Sequence, residues 1–599
     1  MRSARAATWL LPLGVAALLA CEGRQRSSSR GTAPHEEQRA GPAIVVLDLS
    51  DGVPEQPPTG WLGLSSRGAS MDALVLEMEH LARDKDVRGV LVRLSGARIG
   101  LARAGEVGAL LSSIGAKVPV WCHADDFANA TLYLAAQGCR RVWVSPAASV
   151  DAIGLAAQTL YFHKLLADEL GLEVDFLQVG KFKGAEEPFT REGPSPEARQ
   201  SLEATLSDMR AAWLDGIRKG RPLASESAAE DGPYGAQAAK DRSLIDDVGY
   251  FDEARAALEA STGAVRSQVV LGPGAQSRGG DALTEVFRTI ASDSLGTAPV
   301  ALVRATGAIS MDGGGPLGDA GGIVERRLSR TLTRLQSDDD VRAVVLRIDS
   351  PGGSALASDL LWHELMRLRA KKILVVSIGG MAASGGYYLA STGAVVFADE
   401  TSIVGSIGVV GGKLAADRAL EKIGVHGETF SAKVGDPHAA SRAAYESLLA
   451  PWDDATRARV LETMTGIYDL FLQRVSEGRG VPRERIAASA EGRIFSGRHG
   501  MARGLVDEIG GLREAIARAR AMAGLPADAR VGVAGDGGGL LRALAEDDPE
   551  SNARSRGLGA AIAHVAQENA PFIASLAPLA LGDRSEQTLC AVPFALTIR

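Results

Sequence analysis

The chain repeats itself, and that constrains its fold more than any other feature. Asp86-Val-Arg-Gly-Val-Leu-Val-Arg-Leu94 returns 254 residues later as Asp340-Val-Arg-Ala-Val-Val-Leu-Arg-Ile348. Tyr133-Leu-Ala-Ala-Gln-Gly138 returns as Tyr388-Leu-Ala-Ser-Thr-Gly393, and Asp151-Ala-Ile-Gly154 as Gly405-Ser-Ile-Gly408. Leu244-Ile-Asp-Asp-Val-Gly249 returns as Leu505-Val-Asp-Glu-Ile-Gly510, with the offset grown to 261. Matches kept in one order over this span mark a tandem duplication, so the architecture of one copy must be built twice. Each copy opens on an apolar strand, Ala43-Ile-Val-Val-Leu47 or Val300-Ala-Leu-Val303. Short apolar runs then alternate with helical patterns around residues 106–115, 161–170, 355–370 and 414–423. That alternation predicts an α/β fold of parallel βαβ units. A helical arm is expected in each copy, over residues 195–218 and 439–479.

The boundaries follow from composition and punctuation. The chain has 599 residues, 46% of them hydrophobic and 23% charged, enough apolar material for more than one sizeable core. A net charge of −8 with no basic stripe argues against nucleic acid as a partner. Arg2 and Arg5 precede an apolar segment, Ala6 to Ala20, too short for a comfortable membrane span and shaped as a secretory signal. Leu18-Leu-Ala-Cys21 resembles a bacterial lipobox, which makes Cys21 the expected lipidation site. The expected divisions are a signal peptide (1–20), a Ser/Gly/Arg-rich tether (21–41), an N-terminal repeat (42–265), a linker (266–296), a C-terminal repeat (297–525) and a tail of unassigned role (526–599). Cys122, Cys139 and Cys590 form no CxxC pair, so no zinc or redox motif is indicated and no cofactor is expected. Cys122 and Cys139 can either pair in an exported protein or remain buried thiols.

Chemistry concentrates in the second copy. The run Ile373-Leu-Val-Val-Ser-Ile378 predicts a buried strand and Gly379-Gly380 a turn, followed by Met381-Ala-Ala-Ser-Gly-Gly-Tyr-Tyr-Leu-Ala390 as a helix of small residues. Ser384 therefore stands at a strand-to-helix turn, where backbone N–H groups favour an oxyanion. A second glycine turn, Asp349-Ser-Pro-Gly-Gly-Ser354, closes the preceding strand. Two such turns at neighbouring strand ends make a cleft for a nucleophile. In the first copy the position of Ser384 is held by Asn129, and Ser95-Gly-Ala-Arg replaces the Pro-Gly-Gly turn. The first copy thus keeps the scaffold and lacks the serine.

A serine hydroxyl needs a base. His363, His426, His438 and His499 sit in no recognisable triad pattern. A lysine can serve if its site disfavours the ammonium by about three pKa units. Lys181 and Lys183 lie two apart in Gln178-Val-Gly-Lys-Phe-Lys-Gly-Ala-Glu-Glu-Pro-Phe189, and Lys433 lies in the corresponding part of copy two. Spacing alone does not choose between Lys183 and Lys433.

Four motifs in order, Phe182-Lys183-Gly-Ala-Glu-Glu-Pro-Phe189, Asp349-Ser-Pro-Gly-Gly-Ser354, Ala383-Ser-Gly-Gly-Tyr387 and Val404-Gly-Ser-Ile-Gly408, resemble the long, duplicated form of the signal peptide peptidase A (protease IV) family. The resemblance covers almost the whole chain after the tether. It implies two tandem crotonase/caseinolytic-protease-like repeats and a Ser/Lys dyad divided between them. By that resemblance Ser384 is the nucleophile, Lys183 the general base and Ser406 the serine that orients the lysine. The N–H groups of Gly353 and Gly385 are the expected oxyanion hole. The resemblance also implies a membrane-associated homotetramer acting on apolar peptides, cleaved signal peptides among them. With the lipobox, the expected location is the bacterial cell envelope, lipid-anchored and facing the periplasm. The family's familiar long members instead carry a transmembrane anchor. The alternatives are a crotonase-type acyl-CoA enzyme, which the secretion signal disfavours, and a non-catalytic membrane scaffold.

Overall fold

The computed structural model describes residues 41–56, 70–273, 275, 298–311, 322–534 and 588–591. Cys21, the signal segment and nearly all of the tether lie outside them.

The duplication is visible strand by strand. The first sheet has the order Asp247–Val248, Arg141–Val144, Val120–Ala124, Val87–Arg93, Ala43–Asp48, Arg266–Leu271, all parallel. The second repeats it as Glu508–Ile509, Val395–Ala398, Ile373–Ala383, Ala343–Ser350, Val300–Thr306, Val531–Ala534. Strands such as Ala43–Asp48 are buried along their whole length, as expected of parallel strands covered by helices on both faces. The edge strands Arg266–Leu271 and Val531–Ala534 correct two boundaries. Each repeat needs a last strand beside its first, so the repeats run past residues 265 and 525 into the expected linker and tail.

Two further expectations are corrected around the second sheet. Gly379-Gly380 is no turn: Ile373–Ala383 is one strand. Its first half pairs with Val395–Ala398 and its second half swings to Ile403–Gly405. The glycines continue the strand because a side chain at either would press on Asp349, which packs across it. The helix expected over 414–423 is instead the end of a strand, Val409–Ala415, and one turn, Asp417–Glu421. Around 161–170 only the single wide turn Leu165–Glu169 forms. The arms appear as Pro196–Gly220, capped by Ser195, and Asp454–Arg479, capped by Asp453 and closed by Gly480 in the left-handed conformation. Residues 439–453 hold only a short turn of helix before the second arm.

The two repeats share a core. Val45, Val90 and Leu111 of the first belong to the same apolar cluster as Leu302, Val345, Val375 and Ile516 of the second. Arg347, fully buried, donates to Glu55 (2.8 and 2.9 Å) and Glu106 (2.7 and 3.1 Å), and Arg103 bridges Glu55 to Asp349. Burial alone would raise the Glu55 carboxyl, but Arg347 and Arg103 outweigh it and hold it at about 2. Cys122 and Cys139 are disulfide-bonded with Cα atoms 5.7 Å apart.

Candidate active site

The site is assembled on a third sheet that draws on three distant parts of the chain. Its order is Ile323–Val324, Ile309–Ser310, Gly352–Ser354, Thr588–Ala591, Val409–Ala415, Glu173–Val179. The last pair is the join between copies: Glu173–Val179 runs antiparallel to Val409–Ala415 along its full length. That pairing carries the following turn, with Lys183, into the second repeat.

Ser384 ends the Ile373–Ala383 strand and precedes the helix Gly385–Ala390. Its backbone is held at φ 54° and ψ −117°, a conformation that costs an L-residue on the order of 1–3 kcal/mol. The Ser384 N–H donates to the Gly405 carbonyl (2.8 Å), and the Tyr388 N–H donates to the Ser384 carbonyl (2.9 Å). Among the described residues only four non-glycines have positive φ: Ser243, Ser384, Ser406 and Glu491. Three of these surround one point, so the backbone strain is concentrated at the site.

At that point Lys183 and Ser384, 201 residues apart, meet. The Lys183 Nζ lies 2.7 Å from Ser384 Oγ and 3.0 Å from both the carbonyl oxygen and the Oγ of Ser406. Lys183 and Ser406 are each 1% exposed and Ser384 is fully buried. Burial is the setting that favours a neutral amine over an ammonium. The lysine turn is pinned by Glu491, whose carbonyl accepts from the Phe182 N–H and whose carboxylate accepts from the Lys181 N–H. Arg493 stacks over the Phe182 ring at 3.9 Å, and its carbonyl accepts from the Ser406 N–H. Gly492 passes so close to the Lys183 backbone that any side chain there would collide with it.

Glu186 is the near neighbour of the lysine. Burial pushes its carboxyl up to about 8, with Glu187 adding to the rise and Lys183 opposing it. Glu186 is thus protonated at pH 7 and places no full negative charge by the amine. The Gln178 amide, with its nitrogen turned toward them, donates to Glu186 and to the Lys183 carbonyl.

The remaining candidates fall into place around this pair. Gly353 lies in Gly352–Ser354, beside Ile309, whose backbone leaves no room for a side chain there. Gly385 opens its helix, where N–H groups point out of the helical ladder. Lys433 is 73% exposed and paired with Asp436. Lys181 is exposed, its amine 5.4 Å from the centre of the Phe182 ring. His363, His426, His438 and His499 are all exposed, whereas Ser384 is buried. In the first copy Asn129 donates to the Gly154 carbonyl (2.6 Å) and accepts from the Ile153 N–H (3.0 Å). An amide bonded on both sides closes the place where the second copy carries its hydroxyl. Sequence reasoning missed Glu186, Gln178 and the loop 491–493. The loop had a signal, since Asp231-Gly232 precedes Glu491-Gly492 at an offset of 260.

A buried serine on a strained strand-to-helix turn, a lysine amine on its hydroxyl and a glycine strand alongside define a hydrolase-type site on a Clp-protease-like fold, and residues 322–403 match the family described as Clp protease. Residues 113–265 and 366–526 match Peptidase family S49, once in each repeat, and the chain belongs to that family. Relatives include Protease 4 of Salmonella typhi, 31% identical over 83% of this chain and 80% of that protein. Protease 4 of Haemophilus influenzae is 31% identical over 67% of this chain, and the chloroplastic serine protease SPPA of Arabidopsis thaliana 29% identical over 66%. The match spans 64% and 57% of those two proteins' own lengths. Among the described residues no helix is long and apolar enough to cross a membrane, and no cluster of His, Cys, Asp and Glu is arranged to hold a metal ion.

Proposed function

We propose that this chain is a serine peptidase in which Ser384 attacks the peptide carbonyl and Lys183 is the general base. The observation that carries the reading is the 2.7 Å contact between Lys183 Nζ and Ser384 Oγ inside a buried site. A neutral amine has two N–H groups and one lone pair. Directed at the Ser406 carbonyl and Oγ, the two N–H groups leave the lone pair facing the Ser384 hydroxyl. Lys183 takes the hydroxyl proton as Ser384 adds to the carbonyl, then returns it to the leaving amine. A water activated by the same amine hydrolyses the acyl-enzyme. The N–H groups of Gly353 and Gly385 stabilise the tetrahedral oxyanion.

The substrates are apolar peptides, with cleaved signal peptides the leading class. Working at the bacterial envelope, held by lipid on Cys21 and facing the periplasm as a homotetramer, fits that substrate. Ser384→Ala and Lys183→Ala should each lower kcat on a fluorogenic apolar peptide by about 10³-fold or more, while Lys433→Ala keeps wild-type rates. A serine-directed phosphonate should label wild type and not Ser384→Ala. Full activity in Lys183→Ala, or equal labelling of Ser384→Ala, would overturn the assignment.

A further inference from the structure

The strand Thr588–Ala591 lies in the one place where a peptide substrate would be expected to bind. On one side it runs antiparallel to Gly352–Ser354, in the register Gly352 to Ala591, Gly353 to Cys590 and Ser354 to Leu589. On the other side it runs antiparallel to Val409–Ala415, with Leu589 opposite Val410 and Thr588 opposite Gly411. Both flanking strands are otherwise complete. Gly353 is paired on its far side by Ile309, and Val409–Ala415 on its far side by Glu173–Val179. Without residues 588–591 the sheet would have a slot one strand wide, its two edges about 9–10 Å apart and lined with unpaired backbone groups. Such a slot selects an extended peptide through main-chain hydrogen bonds and is largely indifferent to its sequence.

The slot also adjoins the chemistry. One wall contains Gly353, the proposed oxyanion donor, with Cys590 opposite it. The other wall begins three residues after Ser406, whose carbonyl and hydroxyl both lie 3.0 Å from the Lys183 amine. A peptide long enough to reach the oxyanion donor cannot share this space with residues 588–591. We infer that the Thr588–Ala591 segment is a built-in competitor that occupies the substrate's slot as an added strand and must be displaced before a peptide is bound. The inference rests on the peptidase reading for what the slot admits, and on strand pairing alone for what fills it. A tether makes the competitor's local concentration independent of protein concentration. If it is docked about nine-tenths of the time, the apparent KM is raised about tenfold with kcat untouched.

The test uses the full chain with Leu589→Pro and Cys590→Pro, since proline removes the N–H that a ladder needs. On a fluorogenic apolar peptide the variants should show a KM about tenfold lower than wild type at equal kcat. A synthetic peptide spanning residues 586–593 should inhibit both proteins competitively, and the variants at about tenfold lower concentration. An unchanged KM in the variants, or inhibition that is absent or non-competitive, overturns the inference. Fluorescence anisotropy of the labelled 586–593 peptide on Ser384→Ala chains, with and without Leu589→Pro, asks the same question without turnover. There the proline variant should bind about tenfold more tightly, and equal binding overturns the competitor. Loss of all hydrolysis and phosphonate labelling in wild type would instead remove the peptidase reading, leaving the binding result to stand by itself.

Discussion

At the scale of single residues, the site works by withholding charge. The amine of Lys183 lies buried against two hydroxyls and a carbonyl, and the nearby Glu186 is kept protonated by its own burial up to about pH 8. When Glu186 ionises, its negative charge favours the ammonium form of Lys183 and so opposes base catalysis. Glu186→Gln should therefore match wild type at pH 6.5 and exceed it at pH 9, by up to about tenfold if the lysine is moved by one unit, in a kcat/KM profile from pH 6 to 10. The sign for stability runs the same way. A carboxyl raised in the folded state binds its proton more tightly there than when unfolded, so between its unfolded pKa and about 8 stability falls as pH rises. Removing that carboxyl should flatten this part of a melting-temperature profile. A profile for Glu186→Gln that superimposes on wild type throughout would separate Glu186 from the lysine.

At the scale of elements, the strand Glu173–Val179 is what delivers the base, and its pairing depends on Gly412. A side chain there would run into Phe176 and the Asp175 carbonyl. Gly412→Val should destabilise the fold by about 1–3 kcal/mol. It should also lower kcat by up to about 100-fold, because a displacement near 1 Å at the lysine spoils the alignment; urea melts and steady-state kinetics measure the two separately. This strand also marks the limit of what the sequence discloses. The repeat and its apolar runs predict both parallel sheets, because each strand there is a local pattern that recurs. Ser384 at a strand-to-helix turn is equally local. The join of Glu173–Val179 to Val409–Ala415 is not, since the two strands are not counterparts in the duplication and lie more than 200 residues apart. Lys183 and Lys433 therefore stayed equivalent by spacing, and resemblance alone separated them. Thr588–Ala591 is illegible for a related reason: four residues carry no period, and only the slot they enter makes them a strand.

At the scale of the whole molecule, the repeats are clasped at Arg347, which is enclosed by Glu55 and Glu106 of the other copy. Arg347→Met leaves two buried carboxyl groups without their cation and should cost about 3–5 kcal/mol. The triple change that adds Glu55→Gln and Glu106→Gln should recover much of that loss in thermal melts, whereas equal melts for single and triple variants would mean that packing dominates. The clasp also has to keep a register, because the serine and its base are contributed from opposite sides of it. Joined in this way, the chain behaves as a heterodimer written into one polypeptide. The stoichiometry of nucleophile to base is fixed at translation, no dilution can separate them, and the silent copy is free to change everywhere except where it holds that lysine in place.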